Sequence, residues 1–148
     1  MTPRDPHDLE RFVQAQAGSW EAALGELRRG RKESHWMWHV FPQLAGLGQS
    51  DRSRRYAIRD RSEAEAYLAH PVLGPRLVAC AGALLAVPGR TAHDILGSPD
   101  DLKLRSCATL FAAISPPGTV FHRLLDRFFE GRPDPRTLAL LDAAPPGD

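Results

Sequence analysis

The sequence predicts an all-α fold, an irregular single-domain bundle of about seven to eight short helices. Three observations carry that expectation. Apolar residues recur at helical spacing in one segment after another, capping and terminating residues stand at the ends of those segments, and no repeated period or convincing alternating strand pattern interrupts them. A chain of 148 residues has the usual size of one domain and buries roughly 70% of its unfolded surface, enough for a real core. The domain is expected to span residues 1–148, with an ordered core over about 5–142 and a loose tail at 143–148.

Asp5-Pro6 suits a helix start, because aspartate accepts orphan amide hydrogens and proline is tolerated in the first turn; Leu9, Phe12 and Val13 form the stripe and Gly18 ends it. Ser19 then caps a helix with Trp20, Ala23, Leu24 and Leu27 on one face, and Gly30 is its left-handed terminator. Ser34 to Phe41 fits two patterns. A helix capped by Ser34 puts His35 and His39 on one face, whereas a strand separates Trp36, Trp38 and Val40 from His35, Met37 and His39. The helical neighbours favour a short helix, stopped by Pro42, with loop over Gln43–Gly48 and a short basic turn capped at Ser50-Asp51.

Ser62-Glu-Ala-Glu65 reads as a capping box opening a helix through Tyr67 and Leu68 to His70-Pro71. Leu73, Leu77, Cys80, Leu84 and Val87 make the clearest helical stripe, so that helix is expected to be central. Thr91-Ala-His-Asp94 resembles another cap, and Ser98-Pro99-Asp100-Asp101 a strong start for a helix burying Leu102, Ser106, Cys107, Leu110, Phe111 and Ile114. Ser115-Pro-Pro-Gly118 breaks it; Thr119 caps a helix with Phe121, Leu124, Leu125, Phe128 and Phe129, closed by Gly131, and Asp134-Pro135 opens the last one.

Hydrophobic residues at 43% and charged residues at 25% match an ordinary water-soluble protein. The longest apolar run, Val78 to Val87, is broken by Gly82 and stops at Pro88-Gly89, which excludes a membrane span there. The opening Met1-Thr-Pro-Arg-Asp-Pro-His lacks the plan of a signal peptide, so a cytoplasmic location with no membrane partner is expected. Cys80 and Cys107 both fall in apolar helical patterns and are expected to be reduced core residues. Between Arg28 and Arg61 nine basic residues face three acidic ones, whereas the whole chain carries a net charge of only +1. That segment is a positive island on an otherwise acidic chain, and such an island attracts anions.

The Gly30–Ser50 stretch sits inside this island and gathers aromatic, imidazole, amide and basic groups. Trp36, Trp38 and Phe41 suit stacking on a planar ligand, Gln43 or Ser50 hydrogen bonding to its edge, and Arg31, Lys32, Arg54 or Arg55 meeting its phosphates. The ligand-binding set expected on this basis is Lys32, Trp36, Trp38, Gln43, Arg54 and Arg55; the bland reading of each tryptophan is core packing. His35 and His39 have the spacing of a metal pair on a helix, but no glutamate lies between them and no third ligand set follows, so no metal and no cofactor are expected. Asp100, Asp101, Lys103 and Ser106 cluster within one stretch, although the helix dipole already explains the two carboxylates. The weak catalytic candidates are therefore His35, His39, Asp101 and Lys103. There is no phosphate loop, dinucleotide glycine signature or Gly-x-Ser-x-Gly motif.

Gly30-Arg-Lys-Glu-Ser-His-Trp-Met-Trp-His-Val-Phe-Pro-Gln43, Tyr56-Ala-Ile58, Glu63 to Gly74 and Asp100 to Phe111 resemble the bacterial domain-of-unknown-function family 1810. The resemblance runs from about Leu9 to Leu141 and rests on the His-Trp-Met-Trp segment with its Phe-Pro-Gln ending. It implies a mainly helical single domain and carries no established activity or catalytic assignment. The calpastatin label given to some members is a mislabel, since such an inhibitor is a long disordered repeat chain and this sequence has a core and no repeats. The residues then support a protein binding an anionic small molecule, nucleotide-like or otherwise phosphate-bearing, in a basic and aromatic cleft. The alternatives are a structural or interaction domain with Trp36, Trp38 and Phe41 in an exposed apolar patch, and a weak nucleic-acid-binding module, disfavoured by the modest charge. The oligomeric state is not legible.

Overall fold

The computed structural model of the protein describes residues 5–48 and 50–143. The tail expected to be loose lies, beyond Ala143, outside the described residues, as do residues 1–4 of the opening segment. The described residues form ten helices: α1 (Glu10–Ala17), α2 (Trp20–Arg29), α3 (Met37–Val40), α4 (Asp51–Arg55), α5 (Arg61–Ala69), α6 (Leu73–Ala86), α7 (Ala92–Leu96), α8 (Asp100–Ala113), α9 (Val120–Phe129) and α10 (Pro135–Ala143). The all-α class holds. The count exceeds the expected seven to eight because α3, α4 and α7 are single turns of four or five residues.

α6 is the spine. Leu73, Leu77, Cys80 and Leu84 are all buried along it, and α2, α5 and α9 pack against it. α8 lies behind, with α5, α7, α9 and α10 around it, so residues 106 to 112 are buried on every side of the helix rather than along one stripe. This corrects the face expected for α8: Leu102 is 57% exposed and Leu104 takes the inward position. A continuous set of aromatic rings fills the middle, with Phe12 edge-on to Tyr67 at 5.0 Å, Tyr67 against Phe111 at 5.6 Å and Phe111 against Phe121 at 5.5 Å. Among the described residues no single helix is long and apolar enough to cross a membrane.

Local chemistry sets the helix ends. Thr91 and Asp94 form the reciprocal capping box before α7, with hydrogen bonds of 3.0 and 3.1 Å. Gly131 donates to the Leu125 carbonyl across the end of α9, while Glu130 before it turns left-handed at φ 56°. The cap of α5 differs from expectation. Asp60, not Ser62, accepts the Glu63 amide at 2.9 Å. The Glu63 side chain is enclosed and held by Arg11 and Arg59, and the helix begins one residue before Ser62.

The ambiguous 34–41 segment resolves as one helical turn followed by extended chain. Past Pro42 the backbone makes a single parallel bridge, Leu44 to Ile58, with Ile58 donating to the Gln43 carbonyl at 2.8 Å and Ala45 to the Ile58 carbonyl at 2.7 Å. That contact fastens α4 beside α3. Ser34 does not cap α3, because its amide and hydroxyl are both turned to Glu26.

Candidate functional site

The Gly30–Ser50 segment takes its shape from a carboxylate outside it. Gly30 ends α2 with φ 76°, a left-handed conformation that glycine adopts without a Cβ penalty, and turns the chain back on itself. The buried Glu26 side chain then accepts from the Glu33 amide at 2.7 Å, the Ser34 amide at 2.8 Å, the Ser34 hydroxyl, and the Trp36 indole N–H at 2.9 Å. Burial pushes this carboxyl upward, but the Ser34, Glu33 and Trp36 hydrogen bonds prevail and hold it at about 2. Lys32 is fixed alongside, its amide donating to the Ile95 carbonyl at 2.7 Å and its ammonium 3.0 Å from Asp100.

Trp36 is fully buried, its ring 6.2 Å from that of Phe41. It is therefore a core residue, and no ligand stacks on it. Two residues later the helical turn sends Trp38 to the surface. Its ring lies 5.1 Å from the Arg52 guanidinium and 5.2 Å from the Lys103 ammonium, distances at which each cation is attracted to the aromatic face.

Trp38 lines one cleft, and Lys103 beside it lines another. One, of about 330 Å³, is lined by His35, Trp38, His39, Arg52 and Tyr56. The other, of about 320 Å³, includes Gln43, Lys103, Arg105, Ser106, Asp134 and Arg136; Lys103 belongs to it and touches Trp38 as well. His39 forms the floor of the first cleft, 9% exposed, with Nε2 2.7 Å from the Ser19 hydroxyl. Burial, then the positive charge of Arg52, lowers its pKa from 6.5, so the ring is neutral at physiological pH. His35 is exposed at the rim.

Arg54 and Arg55 lie elsewhere. They line an open groove of about 470 Å³ with Asp8, Arg11, Ala57 and Arg59. α4 is thus a divider, contributing Arg52 to the Trp38 cleft and its next two arginines to this groove. The expected binding set is spread over five places: Trp36 in the core, Lys32 on Asp100, Trp38 in one cleft, Gln43 in the other, and Arg54 and Arg55 in the groove.

The Asp100, Asp101, Lys103 and Ser106 cluster also divides. Asp100 sits between Lys32 and Lys103, at 3.0 and 3.6 Å; Asp101 faces His93 at 3.6 Å; Ser106 donates to Asp134 at 3.2 Å. Among the described residues no group of three or more His, Cys, Asp or Glu side chains is placed to hold a metal ion. Arg52 and Tyr56 belong to the first cleft and Arg105 and Arg136 to the second, and all four were absent from the expected set. The arginines carry no local signal, because they reach the site only through the packing of α4, α8 and α10. Glu26 and Glu63 did leave a signal: each falls on an apolar helical face, Glu26 three after Ala23 and Glu63 four before Tyr67, where a carboxylate needs partners.

Fold and site together define a small helical protein with a tryptophan-centred basic surface. The chain belongs to the family described as "Protein of unknown function (DUF1810)", which matches residues 6–141. It is also similar to a crystal structure of the conserved hypothetical protein Rv1873 from Mycobacterium tuberculosis: 51% identity, a TM-score of 0.92, and coverage of 95% of this chain and 100% of that one. A comparison with curated proteins finds no match.

Proposed function

We propose that the protein binds a nucleotide-like, phosphate-bearing small ligand at the surface around Trp38, from its own cleft towards the neighbouring one that Lys103 and Gln43 line. The observation that supports this best is the partly exposed indole in its cleft, flanked by two cations at 5.1 and 5.2 Å. A planar base stacked on such a ring gains about 1–3 kcal/mol. Arg52 and Lys103 supply the positive charge that a phosphate needs, and Gln43 supplies both donor and acceptor groups for a base edge. Neutral His39 adds a hydrogen-bonding group without adding charge. The two buried thiols, Cys80 and Cys107, suit a reducing, cytoplasmic setting.

The interaction-domain reading has less support, because Trp36 and Phe41 are buried and do not form the apolar patch it requires. Nucleic-acid binding has less support as well, since the cations are divided among separate concavities instead of forming one stripe. A thermal-shift screen of nucleotides, NAD and ADP-ribose at fixed ionic strength tests the ligand reading. We expect a phosphate-bearing compound to stabilise the wild type, and Trp38→Ala or Lys103→Ala to lose about tenfold in affinity, the scale of one stacking or charge-assisted contact. Absence of any stabilising compound, or unchanged affinity in both variants, rejects the reading.

A further inference from the structure

We propose that the groove between the start of α1 and the end of α4 is a second anion site, taking a small ligand with two adjacent phosphoryl groups, of which inorganic pyrophosphate is the simplest. It is an open concavity of about 470 Å³ lined by Asp8, Arg11, Arg54, Arg55, Ala57 and Arg59. Its wall is rigid. Arg11 is fixed by the carbonyls of His7, Asp8, Arg55 and Ala57 and by Glu63 at 2.8 Å.

Glu63 is fully buried and engaged on both oxygens, the second accepting from Arg59 at 2.9 Å. Four guanidiniums thus meet three carboxylates, Glu63, Asp8 and Asp60, leaving one positive charge over. Asp8, Asp60 and Glu63 lie about Arg11 and Arg59, whereas Arg54 and Arg55 are exposed and have no carboxylate within 4.0 Å among the described residues. Arg55 is also drawn against the Tyr56 ring, 5.7 Å from its centroid.

Each guanidinium presents a planar fork of donors that fits one phosphoryl group, so two neighbouring forks fit two neighbouring groups. An extended polyphosphate backbone fits poorly. Asp8 lies in the groove, Asp60 lies beside Arg59 at the start of α5, and both repel a chain running through. The size of the groove and its bracketing by carboxylates select a short, compact anion. This site does not depend on the Trp38 reading, since α4 gives different residues to each.

Isothermal titration with sodium pyrophosphate, at an ionic strength held constant with sodium chloride, tests the assignment. We expect saturable binding by wild type and by Trp38→Ala alike, and a loss of about a hundredfold in Arg54→Ala/Arg55→Ala, about tenfold per guanidinium. Both arginines are exposed, so circular dichroism of the double variant should match the wild type; Arg54→Lys/Arg55→Lys should recover part of the affinity. The proposal is overturned by no binding beyond the chloride control, by equal binding in the double alanine variant, or by loss of binding in Trp38→Ala, which would move the ligand to the other cleft. Tighter binding of a short single-stranded oligonucleotide than of pyrophosphate would also overturn it.

Discussion

Glu26 acts less as a charge than as a knot, since one carboxylate fastens the Glu33 and Ser34 amides, the Ser34 hydroxyl and the Trp36 indole. With its folded-state pKa held at about 2 against an ordinary 4.5, it contributes stability that is fully present above 4.5 and is lost as pH falls through about 2. A shift of that size corresponds to about 3 kcal/mol. Glu26→Gln keeps the volume but removes the charge, so the stability gap between wild type and variant should be widest at pH 6 and should close as the pH is lowered from 4.5 towards 2. Urea denaturation of both proteins at several pH values measures it; a gap independent of pH would show that hydrogen-bond geometry rather than charge holds the segment. Such a residue was only half legible. Helical spacing places Glu26 on the buried side of α2, but nothing local says that its partners are Ser34 and Trp36.

At the scale of elements, the sharpest contrast is between two glycines in the same helix. Gly74, in the first turn of α6, lies where α5 turns sharply into it, and a Cβ there would stand 2.1 Å from the Leu68 carbonyl oxygen and 3.0 Å from its carbon. Gly82, two turns further on, has nothing within 4 Å of the same position. Alanine is a better helix former than glycine by about 0.8–1.0 kcal/mol, so Gly82→Ala should stabilise the protein by an amount up to that. Gly74→Ala should instead destabilise it by about 1–3 kcal/mol, the usual cost of forcing atoms into a packed place. Thermal melts of the two variants give the signs directly, and a stabilised Gly74→Ala would mean that α5 and α6 can separate at their junction. Most elements were legible for the same reason that these signs can be argued: caps such as Thr91 with Asp94, terminators such as Gly30, and the α6 stripe are local chemistry. Where reading failed, another residue had taken the place or the partner. Asp60 caps α5 in place of Ser62, Ser34 went to Glu26, and α8 is surrounded so fully that Leu102 did not need to turn inward.

For the whole molecule, the positive island was read correctly as charge and too simply as geometry. Its residues are neighbours in sequence, but α3 turns Trp36 inward and Trp38 outward, and α4 divides Arg52 from Arg54 and Arg55. Beneath these surfaces the described residues share one hydrophobic cluster that takes residues from every helix except α4. A single core of this kind predicts a single cooperative unfolding transition. The two cysteines report on it from inside. Burial pushes the Cys80 thiol up to about 12 and that of Cys107 well above its ordinary 9.0, so neither forms the reactive thiolate at pH 8 while the fold is closed. Cys80 sits in α6 and Cys107 in α8, which places them in different elements of the core. Across a urea series, modification by a thiol reagent at pH 8 should be absent in the native protein and should appear for both residues at the midpoint given by tryptophan fluorescence. Reaction of Cys107 before Cys80 would mean that α8 with its neighbours opens separately from the α2 and α6 half, and would divide the core into two cooperative units.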